Sequence, residues 1–139
     1  MNFSRSDARK PKKMIKYVLD TSAVLALLFL ERGHENVEPI LAKSAISTVN
    51  VAEVLTKLVQ DKVNLDQATN ELFNLNLRII DFSIPQAIKA ATLRPFTKHL
   101  GLSLGDRACL AVAILEHATA VTADRAWASL DLCPIQLIR

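Results

Sequence analysis

The sequence predicts an α/β domain in which a short parallel sheet of about five strands is sandwiched between helices, a three-layer α/β/α arrangement. Three observations carry that expectation. Short runs of strand-favouring apolar residues alternate with helical periods along the chain, the pattern of strand-helix-strand crossovers. The runs are apolar throughout rather than on alternate residues, as strands buried on both faces are. Finally, 139 residues with 50% hydrophobic content and only 3 Gly can bury one sizeable core and are too apolar for disorder.

The first unit sets the pattern. Lys16 to Leu19 reads as a strand that stops at Asp20, and a helix follows from about Ala23 to Leu30. Thr21 or Ser22 can accept from the first free N–H groups of that helix. Asp20 then lies just past the carboxyl end of a strand, the edge where open α/β sheets gather ligands. On this stretch alone, a role as a second helix cap explains Asp20 equally well.

A charged loop from Glu31 to Glu38 and a short segment to Ala42 lead to a second strand, Ser44 to Val49. From Asn50 the period changes: Val51, Val54, Leu55, Leu58 and Val59 mark an amphipathic helix that fades near Asp61 and Lys62. A helix from about Leu65 to Phe73 and a strand from Leu77 to Phe82 follow. Ser83 and Pro85 open the next helix, whose apolar side is Ile84, Ala87, Ile88 and Ala91. Arg94 to Leu102 is the longest irregular connection. Ser103 caps a helix to about His117 whose middle, Ala108 to Leu115, is apolar on every side, so it is expected at the centre of the fold. Thr119 to Thr122 reads as a strand, Asp124 to Leu130 as a short helix and Ile135 to Ile138 as the last strand.

Charge divides the chain into two parts. Residues 1–16 hold six basic residues against Asp7, a net of +5, whereas the remaining 11 basic and 13 acidic residues leave −2. Residues 1–13 are therefore expected to be a disordered basic extension, more simply without function than with one, and 14–139 a single domain. Met14 would make a natural start. The basic balance belongs to the extension and is weak evidence for nucleic-acid binding by the body. Cys109 and Cys133 lack any C-x-x-C or Cys/His spacing, which indicates neither a disulfide framework nor a zinc site and fits a reducing cytoplasm. No segment approaches the ~20 apolar residues of a spanning helix, and no signal-peptide cleavage site follows Leu30, so a soluble protein is expected.

The chemistry points to acids. Asp20 follows one strand, Asp124 follows another with only Ala123 between, and Asp106 falls in the first turn of the most apolar helix. Carboxylates gathered without His, Cys or Lys repel one another, and a hard divalent cation such as Mg²⁺ or Mn²⁺ relieves that repulsion. Such a site can activate water and stabilise a leaving oxygen in an in-line displacement. Each acid also has a purely structural explanation. Asp106 stands three residues after Ser103, the spacing of a capping box, and Asp124 can cap its short helix. Glu53 lies opposite the Val51/Val54/Leu55/Leu58 stripe, which places it on a solvated face. Arg107 and Arg125, each directly after an acid, are candidates for phosphate contact, with surface ion pairing as the equal alternative. His34, His99 and His117 have no partner at a telling spacing, and no phosphate-binding glycine loop or nucleophile elbow occurs.

Four blocks carry a family resemblance. Tyr17–Ala23, Ser47–Val54 with its Asn50 Val51 Ala52 Glu53, Leu102–Ala108 and Val121–Trp127 resemble the PIN-domain ribonucleases, and among them the VapC toxins of toxin–antitoxin pairs. They fall in the family's order and span almost the whole chain from Met14. The resemblance implies a metal-dependent endoribonuclease in which Asp20, Glu53, Asp106 and Asp124 form the acidic quartet. Asp20, Asp106 and Asp124 would hold Mg²⁺ or Mn²⁺, and Glu53 would bind metal or orient water. Thr21, Ser22 and Thr122 would give hydroxyl support. Many relatives carry a further acid after the last one; here Arg125 and Ala126 stand there, with Asp131 farther on, which puts a second metal in doubt. The resemblance also implies an RNA substrate, a homodimer and a VapB-like antitoxin that wraps the toxin and blocks the pocket. Alternatives weighed from the residues are a non-catalytic protein-binding module and a haloacid-dehalogenase-like phosphohydrolase, which wants D-x-D where this chain has Ser22. A receiver-like domain would need a Lys late in the sheet, and none follows Lys98.

Overall fold

The computed structural model describes residues 14–139, and the basic extension 1–13 lies outside the described residues. Five strands, β1 (Tyr17–Leu19), β2 (Ser44–Ser47), β3 (Arg78–Ile80), β4 (Thr119–Thr122) and β5 (Ile135–Leu137), form one sheet in the order β3-β2-β1-β4-β5. Every neighbouring pair is parallel, and β1 is central, with Val18 opposite Ala45 on one side and Ala120 on the other.

Alternation along these strands divides the core in two. Val18, Ala45 and Ala120 face one layer, where they pack with Leu93, Cys109, Leu110, Val112, Ala113 and the fully buried Trp127. Leu19, Ile46 and Val121 face the other, with Ala23, Val24, Val54, Leu58, Ala68 and Leu72. The second layer is built by α1 (Thr21–Leu28), α2 (Thr48–Gln60) and α3 (Leu65–Phe73), and the first by α4 (Ile84–Thr92), α5 (Arg94–Thr97) and α6 (Leu104–Leu115). A two-residue period in the strands thus becomes two separate cores, one on each face.

Helix α6 meets the expectation of a central helix: Ala108 through Ala113 are all buried. It ends at Glu116, followed by His117 in a left-handed conformation (φ 53°). The segment expected to be irregular, Arg94 to Leu102, contains α5 and a 3₁₀ turn at Lys98–Leu100, and the short helix after Asp124 is a 3₁₀ helix, Arg125–Ser129. Cys109 and Cys133 are both free thiols.

The apolar side of α4 is not the side the structure buries. Ile84 and Ile88 are 73% and 62% exposed, while Gln86 and Ala90 are buried. Ser83 and Gln86 form a capping box that fixes the helix start, with the Gln86 side chain accepting from the Ser83 N–H. Ala90 faces α6, whose Arg107 donates to the Ala90 carbonyl at 3.0 Å. A small residue permits that close approach, so the Ala side faces inward and the larger Ile side is left outside.

Candidate metal centre

Four elements meet at the carboxyl edge of the sheet, and each delivers one of the predicted acids. Asp20 ends β1 and caps α1: its Oδ1 accepts from the Ala23 N–H at 2.9 Å and from Ser22 Oγ at 2.7 Å. Its Oδ2 accepts from Thr122 Oγ1 at 2.5 Å. The cap and the site candidate are therefore the same carboxylate. Asp20 is only 3% exposed, and burial pushes its pKa up to about 6 against the opposing hydrogen bonds from Thr122, Ser22 and Ala23. The nearby charge of Asp106 pushes in the same direction as burial.

Asp106 occupies the third position of α6 and closes a capping box. Its N–H donates to Ser103 Oγ at 3.2 Å, and its Oδ2 accepts from the Ser103 N–H at 2.8 Å. Burial raises its pKa, and the charges of Glu53 and Asp124 add to the shift. Asp106 is thus within electrostatic reach of all three other acids. Asp124, exposed at the end of β4, caps the following 3₁₀ helix through Oδ1, which accepts from the Ala126 N–H at 3.0 Å.

Glu53 departs from its expected solvated face. It is half-buried, and its Oε1 accepts from Thr21 Oγ1 at 2.6 Å and from Asn50 Nδ2 at 3.1 Å. The N-terminal half of α2 is flanked by α1 as well as by α6, so the side of the helix that looks polar on a wheel is enclosed by neighbours.

The hydroxyls tie these acids together. Ser22 Oγ donates to Asp20 and accepts from the Ala123 N–H at 2.9 Å, while Thr122 Oγ1 accepts from the Asp124 N–H at 3.0 Å. Arg107 is turned toward α4, with its Nη1 on the Ala90 carbonyl and its buried Nε without a partner among the described residues. Arg125 is exposed beside Asp124.

Two residues at the site escaped the sequence reading. Asn50 is 1% exposed and bonds to Thr21, Glu53 and the Gly105 carbonyl. Its place in the stripe Asn50, Val54, Leu58, the buried side of α2, was the signal that could have revealed a buried amide. Gly105 leaves room for Glu53, because a Cβ built there would overlap the Glu53 carboxylate. A glycine inside a helix lowers its stability, and that cost was the available sign.

Among the described residues, no three His, Cys, Asp or Glu side chains stand close enough to enclose a cation in this conformation. The acids interact electrostatically while each turns toward its own local donors. The donor set nevertheless fits a hard divalent ion. It is all oxygen, and Glu53, Asp106 and Asp124 each spend one oxygen on protein donors while the other receives none among the described residues. The raised pKa of Asp20 is the strain that such an ion would relieve.

A parallel α/β sandwich with an acidic carboxyl edge is the class that fold and site define. The PIN domain family model matches residues 17–132, and the chain belongs to that family. Among solved structures it is similar to a chain of VapBC2 from Rickettsia felis bound to a promoter DNA fragment, with 25% identity, 87% of this chain and 97% of that one covered, and a TM-score of 0.67. A toxin–antitoxin complex from Klebsiella pneumoniae matches at 22% identity, covering 89% and 98% of the two chains with a TM-score of 0.70. DNA-bound VapBC from Salmonella typhimurium matches at 19%, covering 91% and 100% with a TM-score of 0.69. No curated protein sequence matches significantly.

Proposed function

We propose that this chain is a Mg²⁺- or Mn²⁺-dependent endoribonuclease and the toxin of a toxin–antitoxin pair. The observation that carries the reading is the placement of four carboxylates from four separate elements along the carboxyl edge of the sheet, with Thr122 joining Asp20 to the Asp124 N–H and Thr21 joining the start of α1 to Glu53. Asp20, Asp106 and Asp124 would hold the ion, with Glu53 as a further ligand or water-orienting base. When bound, the ion supplies the Lewis acidity that activates water and stabilises the leaving oxygen of a phosphodiester. The chain's own part is to hold the carboxylates apart and oriented, through Ser22 and Thr122 at Asp20 and through Thr21 at Glu53. Arg125, exposed beside Asp124, is the better placed of the two arginines to meet RNA phosphate; Arg107 would have to leave the Ala90 carbonyl.

A homodimer and an antitoxin partner complete the proposal. Exposed apolar side chains are available for both: Phe29 and Leu30 at the end of α1, and Ile84, Ile88, Phe96 and Leu104 on the α4–α6 layer. No helix among the described residues is long and apolar enough to cross a membrane, and the proposed place of action is the cytoplasm, where the RNA is.

The test is RNA cleavage by antitoxin-free protein with Mg²⁺ or Mn²⁺, beside an EDTA control and Asp20→Asn. Discrete cuts that vanish in both controls are expected. Folded, Mn²⁺-binding protein that leaves total cellular RNA intact would move the reading to a non-catalytic binding module.

A further inference from the structure

We propose that Asn50 is a positioning residue for Glu53, fixing one oxygen of that carboxylate so that the other is presented to the divalent ion or its water; this rests on the metal-centre reading above. Asn50 is the point where three elements are tied together. From the first turn of α2, its Nδ2 reaches Thr21 Oγ1 of α1 at 3.0 Å, Glu53 Oε1 of its own helix at 3.1 Å and the Gly105 carbonyl of α6 at 3.1 Å. Thr21 donates its own hydroxyl proton to the same Glu53 oxygen. Two donors therefore converge on Oε1, and Oε2 receives none among the described residues.

The orientation of the amide is decided by its surroundings. The Glu53 carboxylate and the Gly105 carbonyl can only accept, so a flipped amide would set its own oxygen against both. Among the described residues, the buried Asn50 Oδ1 has no partner. Gly105 completes the arrangement, since its carbonyl accepts from Asn50 while the missing side chain makes room for Glu53. Without Asn50, Glu53 would be held by Thr21 alone.

Outer-shell partners of metal ligands are worth about 10–100-fold in metal affinity or activity when removed. The experiment is direct Mn²⁺ titration of the full chain, free of partner, with unbound Mn²⁺ read by electron paramagnetic resonance. Four proteins are compared: wild type, Asn50→Ala, Glu53→Gln and the double variant. Asn50→Ala is expected to weaken Mn²⁺ binding about tenfold or more in the wild-type background and by less than about twofold in the Glu53→Gln background, because an effect exerted through Glu53 cannot persist once that carboxylate is gone. Equal losses in both backgrounds, or no loss in either, overturn the proposal. If Asn50→Ala does not fold, Asn50→Ser carries the same comparison, with the same pair of outcomes deciding. Wild-type protein that binds no Mn²⁺ overturns the metal-centre reading and this inference with it, whereas wild type and Asn50→Ala that bind alike overturn the role of Asn50 alone.

Discussion

Thr122 Oγ1 donates to Asp20 Oδ2 at 2.5 Å and in the same place accepts from the Asp124 N–H at 3.0 Å, so one buried hydroxyl links the acids that follow the two neighbouring strands β1 and β4. Parallel pairing brings this about: Leu19 lies opposite Val121, and the residues immediately after them face each other across the sheet edge.

Replacing that hydroxyl is therefore expected to disturb both acids. Thr122→Val keeps the shape and removes the donor that lowers the Asp20 pKa, so that pKa should rise further, and the Asp124 N–H loses its acceptor. A loss of about 1–3 kcal/mol at pH 7 is expected for the broken buried pairing. Urea unfolding gives the stability, and a carboxyl NMR titration gives the direction of the Asp20 shift.

Stability of the metal-free protein should depend on pH through Asp20. Its folded-state pKa is about 6 against an ordinary value of 3.8, so the native state holds the extra proton in between. Its contribution therefore declines as pH rises from about 4 to about 6 and is constant above, a change of up to roughly 3 kcal/mol. Asp20→Asn does not titrate and should become increasingly more stable than wild type across that window. Unfolding of both proteins at pH 4, 5, 6 and 7 checks the sign; a gap that narrows with rising pH would contradict it.

Saturating Mn²⁺ should narrow that gap at pH 7. An ion that prefers the folded state at 100 times its Kd adds about 2.7 kcal/mol, and only the protein with the intact acid gains it in full. Melting temperatures with and without Mn²⁺ for wild type and Asp20→Asn decide the matter, with the larger increment expected in wild type.

Gly105→Ala separates function from stability. Alanine suits a helix better than glycine by up to about 1 kcal/mol, and the atoms its Cβ would meet belong to the movable end of Glu53. Stability is expected within about 1 kcal/mol of wild type, while displacement of Glu53 lowers RNA cleavage at least about tenfold. A variant that melts early would refute the first half; unchanged cleavage would refute the second.

The facing of α4 can be checked by contrast. Ile88→Ser, at a position 62% exposed, is expected to change monomer stability by less than about 0.5 kcal/mol. Ala90→Leu, at a position 1% exposed against α6, should cost about 1–3 kcal/mol by overpacking. Chemical denaturation of the two variants at low protein concentration provides the comparison.

Strand positions and the central helix were legible in the chain because their signals are local. A strand buried on both faces has to be apolar throughout, and a helix enclosed by its neighbours has to be apolar all round; Val18–Leu19 and Ala108–Ala113 satisfy those conditions without reference to anything distant. The caps at Ser83, Ser103, Asp20 and Asp124 are equally short-range, which is why the sequence could not tell cap from site at Asp20. The structure shows a single carboxylate making the cap bonds at the acidic edge.

What only the tertiary structure decided is which face each helix turns inward. On a helical wheel, Ile84 and Ile88 look like core and Glu53 looks like solvent, yet Ala90 offers α6 the closer approach and α1 closes over Glu53. Asn50 carries the same lesson, since its three partners lie on α1, α2 and α6, up to 55 residues away in the chain. Periodicity reports the polarity of a helix about its own axis. Burial and hydrogen-bond partners depend on how closely neighbouring helices approach, and that is settled only when they pack.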